Sequence, residues 1–274
     1  MPDPSRTPTV PAVGHLESVA AAAGVDALGI ADAAPFSDTR DILERRKAAG
    51  LHGGMQFTYR NPARSTDPTR IVPGARSIVV GARSYRGPDV PPPAGWEPRG
   101  RVARYVRVDH YEALRRGLEA VADELRGHGW VARVVCDDNA LVDRAAAWRA
   151  GLGWYGKNAN LLLPGLGSWF VLGSVVTDAP LPAAPEPVPD ACGGCTRCLD
   201  ACPTGAIVAP GVVDARRCLA WLVQAAGPFP VEHRAALGDR IYGCDDCQEV
   251  CPPNRAADRH RPVPPDGQGG GAAW

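Results

Sequence analysis

Short apolar runs separated by turn residues predict a first domain of alternating helices and strands. β-branched and other apolar residues follow one another in four runs typical of buried strands: 25–30, 77–82, 130–136 and 168–177. Helical patterns predict helices at 15–23, 39–49, 111–128 and 140–150, of which the second and the fourth are closed by glycine. In the third helix, Leu114, Leu118 and Leu125 share one apolar face. The pattern predicts an α/β layer.

Proline-rich stretches divide the chain. A proline-rich loop is predicted between Gly87 and Gly100, and a proline-rich linker at 179–189 separates the first domain from a cysteine-rich segment. Beyond Cys251 the sequence is rich in proline, glycine and charge, which is typical of a disordered tail. We therefore predict four segments: a flexible N-terminus at 1–14, an α/β domain at 15–180, a cysteine-rich domain at 181–254 and a disordered tail at 255–274.

Charge and hydropathy narrow the functional classes. The 274 residues include 30 basic and 30 acidic ones, so no global field draws the protein to nucleic acid or membrane. No apolar run approaches the roughly 20 residues that span a bilayer, and residues 1–13 lack the apolar core of a signal peptide. We expect a cytoplasmic protein. Because cytoplasmic thiols stay reduced, its nine cysteines are better candidates for metal ligands than for disulfides.

Eight of these cysteines have the spacing of a bacterial two-cluster ferredoxin. One run is C-x2-C-x2-C-x3-C followed by Pro203, in which three thiolates cap one [4Fe–4S] cluster and the fourth reaches a second cluster. A second run is C-x2-C-x3-C followed by Pro252, and Cys218 supplies the missing early ligand. We predict that one cluster is bound by Cys192, Cys195, Cys198 and Cys251. We predict that the other is bound by Cys202, Cys218, Cys244 and Cys247.

Zinc is the alternative ligand for these cysteines. A tetrahedral zinc site uses two C-x2-C pairs, which leaves no use for triplets that each end in Cys-Pro, so the spacing favours iron–sulfur clusters. The ninth cysteine, Cys136, lies in a predicted strand and is expected to be a small buried hydrophobe. Two clusters form an electron relay that needs only part of this chain. The first domain is therefore expected to hold the cofactor or substrate that receives the electrons.

Long ordered motifs resemble the epoxyqueuosine reductase family. The match extends from about residue 15 to residue 254. The motifs that carry it are DDNALVDRA at 137–145, AGLGWYGK at 150–157, GSWFVLG at 167–173, CLDACPTGAI at 198–207, DARRC at 214–218 and GDRIYGCDDCQ at 238–248. The resemblance implies an enzyme that uses cobalamin and two [4Fe–4S] clusters to reduce epoxyqueuosine to queuosine at the wobble position of tRNA.

The same resemblance implies an architecture and partners. The fold would be a cobalamin-binding α/β domain, similar to that of reductive dehalogenases, followed by a ferredoxin-like domain with two [4Fe–4S] clusters. The expected partners are a tRNA anticodon stem-loop and an electron donor such as a flavodoxin or ferredoxin, with the protein itself a monomer. Longer members of the family carry a helical-repeat extension after the second Cys-Pro that helps to grip tRNA. This sequence is predicted to be a short form without it.

The family pattern assigns roles to individual residues. Asp137 falls on the acidic residue proposed as proton donor, and Arg60 on an arginine near the corrinoid. Asp245 and Asp246 would lie where the ferredoxin-like domain meets the cobalt cofactor, and Lys157 could contact corrinoid amides or phosphate. Chemistry agrees for the proton donor, because an epoxide oxygen that leaves as water needs protons. Asp137 also follows a predicted strand, and open α/β sheets form their sites at the carboxyl ends of strands.

Structural roles compete with these assignments. One of the acidic or amide residues that follow the strand should cap the helix predicted from Ala140, and Asp138 or Asn139 suits that role better than Asp137. Tyr105 and His110 could approach a cofactor, although a lone histidine is more often structural. Arg60 and Lys157 could equally be solvated surface residues.

The chain departs from the family pattern at single positions as well. Asn158 stands where many members have histidine, and Pro253 where tryptophan is common. Local phosphate contacts would fall to four arginines near the clusters: Arg216, Arg217, Arg234 and Arg240. Because the net charge is zero and the extension is missing, two other functions remain open besides tRNA modification. One is a cobalamin and iron–sulfur reductase of a small molecule, and the other is a non-catalytic electron carrier.

Overall fold

The computed structural model describes residues 8–86, 95, 100–184 and 186–259. Most of the predicted loop at 87–100 lies outside the described residues, as do residues 1–7 and 260–274. Among the described residues, no helix is long and apolar enough to cross a membrane.

Strands and helices alternate in the first domain and become short in the second. The strands are β1 Ala27–Asp32, β2 Ser77–Ser84, β3 Arg101–Val102, β4 Ala132–Cys136, β5 Trp154–Tyr155, β6 Leu161–Leu162, β7 Phe170–Thr177, β8 Ile207–Ala209, β9 Val212–Val213 and β10 Arg240–Tyr242. The α-helices are α1 Val13–Ala22, α2 Ser37–Ala48, α3 Pro62–Ser65, α4 His110–Gly127, α5 Asp143–Arg149, α6 Arg197–Asp200, α7 Leu219–Leu222, α8 Arg234–Leu237, α9 Asp246–Glu249 and α10 Pro252–Arg259.

The first domain is built on one four-stranded sheet in the order β1-β2-β7-β4. Every neighbouring pair is antiparallel. The predicted layer of helices and strands is confirmed. The antiparallel direction of the strands, however, affects the reasoning about Asp137. The rule that sites open at the carboxyl ends of strands applies to parallel sheets, so its use here was wrong.

Helices cover both faces of the sheet and create two apolar cores. On one face, α1 and α4 pack through fully buried side chains such as Leu16, Leu114 and Leu118. Gly173 of β7 permits this approach, because a Cβ there would lie 2.7 Å from Leu118 Cδ1. On the other face, α5 presents Ala145, Ala146 and Ala147, and these small side chains allow close packing on the sheet. Cys136 is buried in the first of these cores, as predicted.

Helix α5 begins later than predicted. Its N-cap residue is Val142, without a side-chain hydrogen bond, so the capping role expected for Asp138 or Asn139 was wrong. Asp138 instead accepts a hydrogen bond from the Ala140 N–H (2.9 Å). Asn139 accepts one from the Thr58 N–H on another loop. The two side chains therefore shape the loop after β4 rather than the helix.

The ends of the described chain are more ordered than predicted. Thr9 Oγ1 lies 2.7 Å from His128 Nδ1, and the Trp130 indole donates to the Thr9 carbonyl (2.9 Å). Helix α1 begins at Val13, so the predicted flexible segment at 1–14 ends too late. Helix α10 likewise includes residues 255–259, which were predicted to belong to a disordered tail.

Candidate active site and cysteine clusters

Four cysteines border a cavity of about 90 Å³ beneath the β5–β6 hairpin. They are Cys192, Cys195, Cys198 and Cys251. Burial raises the pKa of the Cys251 thiol to about 11, and the other three thiols of the set raise it further. We call these residues the first cysteine set. They are the four that the spacing assigns to one cluster.

The remaining four ligand candidates gather in a second set: Cys202, Cys218, Cys244 and Cys247. Burial raises the pKa of Cys247, and the nearby Cys244, Cys218 and Cys202 add to the effect. Sulfur also receives backbone donors here, because the Ala206 N–H lies 3.1 Å from Cys202 Sγ. N–H donors on thiolate sulfur are a typical feature of iron–sulfur sites. Two sets of four soft sulfur ligands fit two [4Fe–4S] clusters. Within the described residues, no three His, Cys, Asp or Glu side chains form a site for a single metal ion.

A buried hydrogen-bond network joins the second domain to the first. Ser168 donates its hydroxyl to Gln248 Oε1 (2.8 Å) and its backbone N–H to Asn254 Oδ1 (2.6 Å). Asn254 returns its amide to the Ser168 hydroxyl (2.9 Å). Gln248 in turn donates to Asp245 Oδ1 (2.9 Å). The side chains of Ser168, Gln248 and Asn254 are thus all hydrogen-bonded, and the bonds of Ser168 fix the second domain against the first.

The two aspartates between the cluster ligands are engaged within the protein. Asp245 Oδ2 accepts the backbone N–H of Arg104 (2.7 Å), and burial raises the pKa of its carboxyl. Asp246 forms a two-pronged pair with Arg240, at 2.8 and 2.5 Å. The Asp245 contact crosses to the first domain, and the Asp246 contact lies within the second domain. A small cavity of about 20 Å³, lined by both aspartates and Cys244, lies beside them.

Asp137 lies at the end of β4, exposed, with the unusual backbone angle φ 52°. Few residues other than glycine, asparagine and aspartate adopt this left-handed conformation, and such strain is often found at functional sites. Two phenols lie nearby. Burial raises the pKa of Tyr111, and the charge of Asp137 raises it further. Burial also raises the pKa of Tyr105, which is close to Asp137 and to Tyr242 of the second domain. Asp137 therefore lies on the side of the first domain where the second domain docks.

A second carboxyl behind Asp137 was missed in the sequence. Burial raises the pKa of Asp143 to about 8, and the charge of Asp137 is the next largest cause. Its Oδ1 atom is buried and has no hydrogen-bond partner among the described residues. Nothing in the sequence distinguishes this aspartate from an ordinary residue in the first turn of a helix.

The loop that carries Arg60 packs against the loop of Asp137. Thr58 adopts φ 66°, rare for a β-branched residue, and the Asn139 side chain holds its backbone N–H. Arg60 is exposed two residues later. His110 is half-buried against Tyr85, with ring centroids 5.8 Å apart, and burial lowers its pKa. Arg60 thus lies on a loop that contacts the Asp137 loop. His110 packs against Tyr85.

Lys157 lies with the first cysteine set instead. Its Nζ donates to the Gly193 carbonyl (2.6 Å), between two cluster ligands. Asn158, one of the positions that departs from the family pattern, donates to the Cys247 carbonyl (3.4 Å). Among the four arginines expected to meet phosphate, Arg216 pairs with Asp214 (2.7 Å) and Arg240 with Asp246. Arg217 and Arg234 are exposed, and the contact of either with phosphate stays a prediction.

Models of two known protein families match this chain, one in the first domain and one in the cysteine-rich domain. A family model described as "4Fe-4S double cluster binding domain" matches residues 191–254, and one described as "Epoxyqueuosine reductase QueG, DUF1730" matches residues 65–138. The first match confirms that the cysteine-rich domain binds two [4Fe–4S] clusters. The assignment of each cysteine to one of the clusters stays a prediction.

Relatives of known function are similar over most of the chain. The sequence is 37% identical over 270 residues to an epoxyqueuosine reductase of Xanthomonas campestris, covering 94% of this chain and 73% of that protein. It is 38% identical over 243 residues to the epoxyqueuosine reductase of Bacillus cereus, covering 86% of this chain. The chain spans only 63% of the length of that relative.

Solved structures extend the comparison to the fold. A crystal structure of epoxyqueuosine reductase with an epoxyqueuosine-modified tRNA-Tyr stem loop matches with a TM-score of 0.84 and 37% identity, over 89% of this chain and 66% of that one. A catabolic reductive dehalogenase matches with a TM-score of 0.57 at 18% identity, over 89% of this chain and 32% of that one. The second likeness is one of fold, and it confirms the predicted architecture.

Proposed function

Because the chain belongs to the epoxyqueuosine reductase family, we propose that it reduces epoxyqueuosine to queuosine in tRNA with the help of cobalamin. One observation carries the proposal beyond family membership. An exposed aspartate, Asp137, is held on left-handed backbone beside the interface with a double-cluster domain. A proton donor and an electron supply are thereby brought to one side of the first domain.

Side chains near Asp137 support a corrinoid site beside it. Tyr105 is close to both Asp137 and Tyr242, and the exposed Arg60 lies on the neighbouring loop. We propose that Asp137, Arg60 and Tyr105 border the corrinoid. We do not place Asp245 and Asp246 against the corrinoid, because their carboxylates already bind Arg104 and Arg240. Their role is to position those two residues. Lys157 lies beside the first cysteine set, because its ammonium group donates to the Gly193 carbonyl.

Conversion of an epoxide to an alkene and water takes two electrons and two protons, because both carbon–oxygen bonds break and one carbon–carbon double bond forms. When bound, the clusters supply single electrons and the corrinoid supplies a cobalt centre that can act at the substrate carbon. The protein supplies the acid. Asp137 donates a proton to the oxygen as it leaves, which prevents the build-up of negative charge on that atom. Its exposed carboxyl is open to an incoming nucleotide.

We propose the partners on the same basis. The substrate is a tRNA anticodon stem-loop, with Arg217 and Arg234 available for phosphate contacts. Electrons come from a low-potential donor such as a flavodoxin or ferredoxin, and the protein acts as a cytoplasmic monomer.

Turnover of a defined substrate tests the proposal. The full chain is loaded anaerobically with iron, sulfide and cobalamin, and is incubated with a reductant and an epoxyqueuosine-containing anticodon stem-loop. We expect nucleoside mass spectrometry to show queuosine. Absence of conversion by a sample replete in both cofactors would contradict the proposal. Conversion of the free nucleoside alone would favour a small-molecule reductase, and a sample that binds clusters but no corrinoid would favour an electron carrier.

A further inference from the structure

The indole N–H of Trp154 has no partner in the protein, although it is buried. The Trp154 side chain is 7% exposed, and its Nε1 atom makes no hydrogen bond among the described residues. The half-buried Trp221 donates to the Gly53 carbonyl (2.8 Å) and Trp130 to Thr9. Trp169 Nε1 is also buried without a partner among the described residues, but Trp169 does not line the cavity bordered by the first cysteine set. Leaving such a donor unpaired costs about 1–3 kcal/mol. A partner from outside the polypeptide is therefore expected.

The position of Trp154 identifies the partner. Trp154 lies in β5, pairs with Leu162 of β6, and packs with Cys251 and Cys192 in one apolar cluster. It also lines the cavity that the first cysteine set borders. An acceptor that fills this cavity therefore lies against the Trp154 side chain. The double-cluster domain supplies such an acceptor, because thiolate and sulfide sulfurs of a [4Fe–4S] cluster are negatively charged.

We propose that Trp154 donates its indole N–H to a sulfur atom of the cluster bound by the first cysteine set, and thereby raises the reduction potential of that cluster. The reduced cluster carries one more negative charge than the oxidised one. A fixed donor therefore stabilises the reduced state more strongly. Lys157, whose ammonium group holds the Gly193 carbonyl at the same cavity, acts in the same direction.

The β5–β6 hairpin of the first domain thereby gains a role in electron transfer. The first domain would then adjust the potential of one of the two clusters through a residue that touches no substrate. This role of Trp154 depends on the cluster and not on the identity of the substrate, so its test is separate from that of the proposed reductase activity.

The test compares two tryptophan variants. Trp154→Phe keeps an aromatic ring against Leu162 and Cys251, removes the N–H donor and reduces the size of the ring. Trp148→Phe is the matched control, because Trp148 is exposed on α5 and its ring neighbour is Tyr155. Each full-length protein is loaded with clusters, and its two midpoint potentials are measured by redox titration with paramagnetic resonance detection. We expect one potential of Trp154→Phe to become more negative, and both potentials of Trp148→Phe to equal those of the wild type.

A second measurement needs no substitution. Wild-type protein is labelled with indole-¹⁵N tryptophan, and the reduced clusters are probed for a hyperfine coupling to ¹⁵N. We expect a coupling that disappears in Trp154→Phe and persists in Trp148→Phe. Wild-type potentials in a fully loaded Trp154→Phe sample, or no ¹⁵N coupling in the wild type, would overturn the proposal. If Trp154→Phe fails to retain the cluster, the wild-type coupling decides.

Discussion

The carboxylate of Asp245, located between two cluster ligands, accepts the backbone N–H of Arg104 at 2.7 Å. Arg104 belongs to the first domain, so this bond crosses the domain junction. The Arg104 guanidinium also lies over the Trp169 ring, 4.6 Å from its centroid. The family pattern led us to expect Asp245 at the cofactor. In the structure its carboxylate instead fixes the backbone of Arg104 at the domain junction.

Asp245→Ala should loosen this junction. The substitution leaves the Arg104 N–H and the Gln248 amide without their acceptor, which costs about 1–3 kcal/mol. We expect a lower melting temperature of the cluster-loaded protein in anaerobic circular dichroism. Asp239→Ala is the control, since Asp239 forms an exposed pair with Arg101 that contributes about 0–1 kcal/mol. Equal effects of the two substitutions would show that the junction does not depend on Asp245.

Gly167→Ala tests the same junction from the other side. Gly167 has φ 66°, and a Cβ there would collide with Asn254 Oδ1. Gly165→Ala is a matched control, because Gly165 has φ 74° and open space around it. Both alanines carry the strain of left-handed backbone, but only the first displaces Asn254 from Ser168. We expect Gly167→Ala to lower the free energy of unfolding by about 1–3 kcal/mol more than Gly165→Ala. Similar values in denaturant titrations would contradict a tight contact.

Local patterns explain how much of this arrangement could be predicted. The helices and main strands lie within a few residues of their predicted bounds, because burial of one face leaves a periodicity in the sequence. The two cysteine sets follow from spacing, since ligands of one cluster must come from a few fixed turns.

Long-range contacts explain what was missed. The antiparallel order of the sheet depends on which strands pair, and no local pattern records that. Ser168 and Asn254 meet across 86 positions. The left-handed backbone of Asp137 and the unpaired indole of Trp154 likewise appear only once distant loops have packed. Ser168, Asn254 and Trp154 therefore looked like ordinary polar or core residues, and Asp137 stood out only through the family resemblance.

Cys218→Ala tests the ligand assignment. Cys218 is separated from the two cysteine runs, and the charge of Cys202 contributes to its raised pKa, after burial as the main cause. We expect the iron content to fall from about eight atoms per chain to about four. Cys136→Ala, which changes a buried cysteine of the first domain, should keep all of the iron. Full iron content in Cys218→Ala would remove this residue from the ligand set.

Asp137→Asn tests the proton donor. Asparagine tolerates left-handed backbone as well as aspartate does, so the loop should keep its shape. We expect both clusters and corrinoid to be retained while turnover of the epoxyqueuosine stem-loop falls at least about 100-fold, the usual contribution of a general acid. Asp138→Asn changes the exposed neighbour and should leave turnover close to that of the wild type. Unchanged turnover in Asp137→Asn would exclude Asp137 as the acid.

Asp143 should make stability depend on pH. Burial, then the charge of Asp137, raises its pKa from 3.8 to about 8 in the folded protein. Between these two values the folded state holds a proton that the unfolded state has released. The contribution of Asp143 to the free energy of unfolding is therefore complete below pH 4 and is lost progressively as the pH rises towards 8. Asp143→Asn removes the titrating group while keeping its size.

The variant should consequently lose less stability than the wild type between pH 5 and pH 8, as measured by denaturant titration. Asp138→Asn provides the control for a general loss of negative charge in this loop, since Asp138 is exposed. Parallel pH profiles for wild type and Asp143→Asn would show that Asp143 is ionised in the folded protein. A flatter profile would establish a neutral carboxyl behind Asp137 at neutral pH. Such a carboxyl adds no negative charge to the surface at which we propose that tRNA binds.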